Sequence, residues 1–304
     1  VAINDMATMD MMLYLLKNDS VHGTFKSEVE QVDGENITID GQKIRVFSDR
    51  DPKNLKFADC GADMVLECTG VFLTQESAQV HIDNGVEKVL FSAPSKDTAT
   101  DTFVMGVNEE LYDGQKIVSN ASCTTNCLGP VAKVLDDAFG IEKGLMTTIH
   151  SYTNDQNILD VKHSKDKRRA RAGAINMIPT TTGAAKAISL VMPQLKGKLH
   201  GQSVRVPTPD VSMVDLNVVV KKQTTKEEVT AVFNKAADTS LKGLLLMDKE
   251  MRVSQDFVGC PYSSIVAEDL TQVIGGDMVK IMAWYDNEWG YSMRLIDMAI
   301  HISK

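Results

Sequence analysis

Over residues 1–122, short runs of apolar and β-branched residues alternate with stretches of helical periodicity, the pattern of βαβ units wound into a parallel sheet. Strands are expected at 1–4, 64–67, 89–92 and 117–120. Each runs out into small or polar residues: Asn4-Asp5, Cys68-Thr69-Gly70, Ser92-Ala93-Pro94 and Asn120-Ala121-Ser122. A doubly wound sheet binds its ligands outside those carboxyl ends. Helices are expected at 9–16 and 74–83, with Thr74 as an N-cap and Gly85 as a stop. Residues 37–46 read as a hairpin turning at Asp40-Gly41.

After Cys123 the pattern changes to longer, more separated strands, among them 145–150, 204–206 and 211–220. They fit a second, α+β domain with a mostly antiparallel or mixed sheet. Its helices are expected at 124–139, ended by Gly140, and after Thr225, which forms a capping-box pair with Glu228. Leu295, Ile296, Ala299 and Ile302 give the last segment, 289–303, an apolar helical stripe. The expected division is 1–122 against 123–286, with a helix at 287–304 completing the first domain.

Composition narrows the function classes. At 304 residues the chain is long enough for two cores. A net charge of -9 opposes generic binding to a phosphate backbone, so no obligatory nucleic acid partner is expected. No apolar run approaches the roughly 20 residues that span a bilayer, and no membrane partner is expected. Cys60, Cys68, Cys123, Cys127 and Cys260 are odd in number and irregularly spaced, which points to a reducing, cytoplasmic setting rather than a disulfide framework. The chain opens Val1-Ala2-Ile3-Asn4-Asp5, without Met, like the end of a buried strand. A preceding segment is expected.

Ser122-Cys123-Thr124-Thr125-Asn126-Cys127 stands where a strand gives way to a helix. The helix dipole and unbonded N–H groups favour a thiolate there and can hold an oxyanion formed by its attack on a carbonyl. Taken alone, Cys123 also suits a small buried hydrophobe with Cys127 one turn on. No second pair of ligands at zinc spacing appears, and no metal is expected. His150 ends another strand and is the candidate base for Cys123.

Ser119-Asn120-Ala121-Ser122-Cys123-Thr124-Thr125-Asn126-Cys127 resembles, without gaps, the active-site motif of glyceraldehyde-3-phosphate dehydrogenases. The likeness continues through His150-Ser151-Tyr152-Thr153-Asn154-Asp155-Gln156, Arg168-Arg169-Ala170-Arg171, Pro179-Thr180-Thr181-Thr182-Gly183-Ala184-Ala185-Lys186, Arg205-Val206-Pro207-Thr208-Pro209 and Trp284-Tyr285-Asp286-Asn287-Glu288. The resemblance implies a Rossmann-like, NAD-binding domain beside a catalytic one. It also implies oxidation of glyceraldehyde 3-phosphate through a Cys123 thioester that inorganic phosphate releases, with His150 as ion-pair partner and acid–base. Thr153 and Arg205 would hold the substrate phosphate, Ser122, Thr124, Thr182 and Gly183 the attacking phosphate, and Arg169 would lie near both anions.

For NAD, Asp5 resembles the acidic residue that bonds the adenosine ribose, and the resemblance adds Asn4, Arg50, Thr69, Gly70, Ser92, Asn287 and Tyr291. Many NAD-using members carry Leu-Pro where this chain has Val161-Lys162, so NADP tolerance stays open. The family's first strand, its Gly-x-Gly-x-x-Gly turn and the next helix have no counterpart before Val1. A homotetramer is implied, with residues 157–182 near a subunit contact. Two other readings stay open: erythrose-4-phosphate dehydrogenase, which uses water as acceptor, and a non-enzymatic role at a surface or on RNA. The intact Thr180-Thr181-Thr182-Gly183 run favours phosphate as acceptor.

Overall fold

A computed structural model describes residues 1–164 and 166–304. The chain divides into two compact units, Val1–Asp101 with Asp113–Ser119, and Thr102–Tyr112 with Asn120–Lys304.

In the first unit, strand Ala2–Asn4 pairs in parallel with Gln42–Phe47, and Gln42–Phe47 forms a hairpin with Asn36–Ile39. The hairpin turns at Asp40 and Gly41, both at positive φ (48° and 77°), the mirror-image turn whose twist matches the strands it joins. A second parallel sheet contains Met64–Glu67, Lys88–Phe91 and Ile117–Ser119. The expected parallel strands therefore exist but do not form one continuous sheet. Among the described residues, Ala2–Asn4 bonds no strand opposite Gln42–Phe47, and Met64–Glu67 bonds none opposite Lys88–Phe91. One core joins them, since Ala2 and Phe47 pack against the cluster holding Val65, Val89, Phe91 and Ile117. Helix Gln75–Asp83 starts in a capping box, Thr74 bonding the Ser77 N–H and Ser77 answering to Thr74.

In the second unit the described residues form an eight-stranded mixed sheet. Its order is Ile178–Thr181, Leu199–Val206, Ile141–Ser151, Ser212–Val220, Met278–Tyr285, Ser264–Ala267 and Leu245–Asp248, with Gln272–Ile274 added beside Met278–Tyr285. Alternation lets one face of Ser212–Val220 bury Val214, Leu216 and Val218. Helix Cys123–Phe139 packs on this face through Leu128, Val131 and Leu135, each fully buried and each stabilising the unit by about 1.5–3 kcal/mol. It ends at Gly140, whose positive φ (68°) lets the chain reverse into Ile141–Ser151 while Asp136 accepts from the Ile141 N–H.

The parallel pairing of Ile141–Ser151 with Leu199–Val206 sets His150 beside Arg205. The C-terminal helix Trp289–Ile302 groups with this second unit, where Tyr291 bonds the Ala121 carbonyl and His301 the Glu109 carbonyl. Division by compactness thus differs from division by sequence at that helix.

Candidate active site

Cys123 opens the helix Cys123–Phe139 because Ser122 caps it, its Oγ accepting from the Thr125 N–H at 3.2 Å. The residue before the cap, Ala121, is held at φ 56° and is fully buried, a left-handed conformation that costs a non-glycine residue energy and that the surrounding structure must enforce. This turn delivers Cys123 to within 3.5 Å of His150 Nε2 from its Sγ. His150 is next to last in the strand Ile141–Ser151 and buried. Its other ring nitrogen, Nδ1, lies 2.8 Å from the Ser151 carbonyl.

Electrostatics at rest differ from the ion pair the resemblance implies. Burial pushes the Cys123 thiol up from its ordinary value, opposed by the Arg205 charge and by the hydroxyl and N–H of Thr124. Burial, and then Arg205, push His150 down to about 3. Both shifts favour the neutral thiol and imidazole, so the charged pair needs a further charge in the pocket. Cys127 is fully buried, its thiol pushed well up by burial, which makes it a poor nucleophile.

The other candidates of this unit divide into groups. Arg205 is half-buried, and its Nε is buried without a hydrogen-bond partner. Thr153 bonds Gln156 Oε1 through both its N–H and its hydroxyl, at 3.1 and 3.4 Å. Thr182 accepts from the Ala184 N–H, and Gly183 caps helix Ala184–Val191 with open space where a Cβ would stand. Arg169 pairs with Asp155 and Asp166 and donates to the Thr181 carbonyl at 3.3 Å, next to Thr182. Asn287 accepts from Ser212 Oγ at 2.6 Å, and Tyr291 donates to the Ala121 carbonyl at 2.8 Å. Thr148 and Tyr285, to which sequence reading gave no role, stand in the same cluster as Cys123 and His150. A cleft lined by Lys143, Leu145, His200 and Met278 opens at the opposite end of the His150 strand.

In the first unit the cofactor candidates follow the strands' carboxyl ends. Asn4 exchanges two hydrogen bonds with the backbone of Asp49, next to exposed Arg50. Asp5 Oδ1 accepts from the Ala7 N–H. Thr69 donates twice to Glu67, Gly70 turns the chain at φ 73° into open space, and Ser92 donates to the Glu67 carbonyl. An acceptor carboxylate after one parallel strand and a small, open turn after another suit a dinucleotide's ribose and backbone. These residues therefore fit NAD. Lys162 is exposed.

Family models agree with this geometry. One described as glyceraldehyde 3-phosphate dehydrogenase, NAD binding domain, matches residues 1–75, and one described as glyceraldehyde 3-phosphate dehydrogenase, C-terminal domain, matches 122–287. The chain is 52% identical over 305 residues to glyceraldehyde-3-phosphate dehydrogenase of Geobacillus stearothermophilus, covering 100% of this chain and 90% of that protein. It is 51% identical over 306 residues to glyceraldehyde-3-phosphate dehydrogenase 1 of Bacillus subtilis, with coverage of 100% and 90%. To the chloroplastic glyceraldehyde-3-phosphate dehydrogenase GAPB of Arabidopsis thaliana it is 54% identical over 302 residues, covering 98% of this chain and 67% of that one. Likeness on this scale, spread over both units, establishes that the chain belongs to the glyceraldehyde-3-phosphate dehydrogenase family, with NAD as its cofactor.

Proposed function

We propose that this chain oxidises glyceraldehyde 3-phosphate to 1,3-bisphosphoglycerate in glycolysis, through a thioester on Cys123. The observation that carries the reading is the Cys123 Sγ to His150 Nε2 approach of 3.5 Å at a helix N-terminus. Cys123 forms a carbon–sulfur bond to the aldehyde carbon as its proton passes to His150 Nε2. The backbone N–H groups of the first helical turn stabilise the substrate oxygen. Bound NAD would supply the hydride acceptor, and the adduct carbon, on losing its hydride, becomes the acyl carbon of a thioester. An oxygen of inorganic phosphate then bonds to the acyl carbon, and the Cys123 sulfur departs as thiolate.

Arg205, with its unpartnered buried Nε, and Thr153 hold the substrate phosphate in this reading. Ser122, Thr124, Thr182 and Gly183 hold the inorganic phosphate, where the helix Ala184–Val191 offers N–H groups, and Arg169 lies beside Thr181. Asn4, Asp5, Arg50, Thr69, Gly70, Ser92, Asn287 and Tyr291 serve NAD. The five cysteines are free, in keeping with a cytoplasmic enzyme. A homotetramer would cover Ile158, Leu159, Ile175 and Met177, which are 75–82% exposed in the single chain.

The test is NAD reduction by the purified enzyme with glyceraldehyde 3-phosphate, in the presence and absence of inorganic phosphate. Sustained turnover is expected only with phosphate. Equal turnover in its absence would replace phosphate by water as acceptor and overturn the reading.

A further inference from the structure

The strand Met64–Glu67 turns Val65 and Glu67 to its buried side, so a carboxylate stands where the alternation calls for an apolar residue. Glu67 is 3% exposed, and a carboxylate so buried has to be bonded and paired. Its Oε1 accepts from the Thr69 N–H at 2.8 Å and from the Thr69 hydroxyl. That hydroxyl gives its one proton to the carboxylate, and its oxygen accepts from the Val71 N–H at 3.1 Å. Glu67 therefore shapes the turn in which Gly70, at φ 73°, leaves open space where a Cβ would stand. Glu67 Oε2 faces His81 Nε2 at 3.8 Å, the distance of an ion pair rather than of a hydrogen bond. His81 belongs to helix Gln75–Asp83, is 2% exposed and lies against the rings of Phe57 and Phe72, with centroids at 6.1 and 6.5 Å. Among the described residues, neither of its ring nitrogens makes a hydrogen bond.

An apolar pair of similar volume would serve packing at least as well, so the use of these two residues lies in what the carboxylate holds. We propose that Glu67 and His81 are positioning residues for the cofactor: the Glu67 carboxylate, braced by His81, fixes the turn of Thr69, Gly70 and Val71 against which NAD binds. The inference rests on the reading that Thr69 and Gly70 serve NAD. Lys96 Nζ donates to the Gly70 carbonyl at 2.7 Å, a second tie on the same turn. Among the described residues, the titratable groups that face the carboxylate are His81 and, next in the chain, Cys68. Burial alone would raise the Glu67 carboxyl, but His81 and Thr69 hold it below its ordinary value, so it stays ionised at neutral pH. Without His81, burial would prevail and Glu67 would take up a proton as pH falls. A neutral carboxyl is a weaker acceptor for Thr69, and the turn would loosen with it.

The experiment is calorimetric titration of the full, nucleotide-free enzyme with NAD between about pH 5.5 and about pH 8, with Tm recorded for each variant. Glu67→Leu takes the acceptor from Thr69 and should raise the Kd for NAD about tenfold, as expected for a hydrogen bond to a charged group. Glu67→Gln puts an amide oxygen in the same place and should recover most of that affinity. His81→Leu should bind NAD like the parent near pH 8 and about tenfold more weakly than the parent near pH 5.5, and adding Glu67→Gln should remove that pH dependence. Loss of packing alone would lower Tm and weaken binding by the same factor at every pH, and that outcome in His81→Leu overturns the inference. Gly70→Val, a β-branched residue at a positive φ, tests the turn itself. Binding equal to the parent's in Gly70→Val overturns the cofactor reading of the turn and this inference together. Weakened binding in Gly70→Val with parental binding in Glu67→Leu or, should that variant not fold, in His81→Leu at every pH overturns this inference alone.

Discussion

Arg205 Nη1 lies 2.9 Å from His150 Nδ1, and both groups reach the same carbonyl, that of Ser151, at 3.0 and 2.8 Å. A guanidinium only donates, so while Arg205 bonds Nδ1 the imidazole proton must sit on Nε2, the nitrogen facing Cys123. When Nδ1 donates to the Ser151 carbonyl instead, Nε2 is free to accept the thiol proton. An anion that draws Arg205 aside favours the second arrangement and cancels part of the charge that suppresses imidazolium formation.

Inorganic phosphate is therefore expected to raise the His150 titration point from its resting value of about 3, and Arg205→Met to raise it without phosphate and abolish the phosphate effect. Imidazole NMR of the parent and the variant checks both. A His150 signal indifferent to phosphate in the parent would sink the coupling.

Cys123→Ser should abolish turnover while leaving the fold intact, because a serine hydroxyl is far less ionised than a thiol at neutral pH. Cys127→Ser should cost little activity, since that sulfur is fully buried, with its thiol pushed up by burial and away from the nucleophile's role. Steady-state rates and the mapped alkylation site decide. A main adduct on Cys127 would reverse the assignment.

Asp210 gives a pH dependence with a definite sign. Burial, with the Asp286 charge beside it, pushes its carboxyl up to about 7, while Asp286 itself accepts from the Gly259 and Trp289 N–H groups. The folded chain therefore holds a proton that the unfolded chain gives up near 3.8. The stability this contributes is complete below 3.8 and is lost as pH rises to about 7. Asp210→Asn stays neutral throughout. Its Tm advantage over the parent should grow between pH 5 and pH 8, and an advantage independent of pH would contradict the shift.

Much of this was legible in the sequence, because local chemistry decided it. Thr74, Thr225 and Gly140 mark helix ends by capping and by positive φ, properties of single residues. Cys123 and His150 could be singled out because each stands at a strand end next to polar residues. Tyr285 could not. Its partners are 161 and 137 residues away in the chain, and the strand that carries it reads like any half-buried strand.

Gly201 is a packing requirement rather than a hinge. A Cβ there would lie 2.7 Å from the Met146 carbonyl oxygen and against its side chain across the parallel pair. Gly201→Ala should destabilise the second unit by about 1–3 kcal/mol, as overpacking does. Thermal unfolding measures it, and a Tm equal to the parent's would show that the strands separate freely.

The pairing of His150 with Arg205 across adjacent parallel strands also limits how this sequence can drift. Their separation is set by the ladder, about 4.8 Å between neighbouring backbones, and not by long side chains finding each other. Substitutions along either strand leave that spacing alone. Insertion or deletion of one residue in 145–149 or 200–204 would turn base or cation to the opposite face of the sheet in a single event. Among descendants of this chain, length changes in the second unit should accumulate in the connections and be missing from those two five-residue runs.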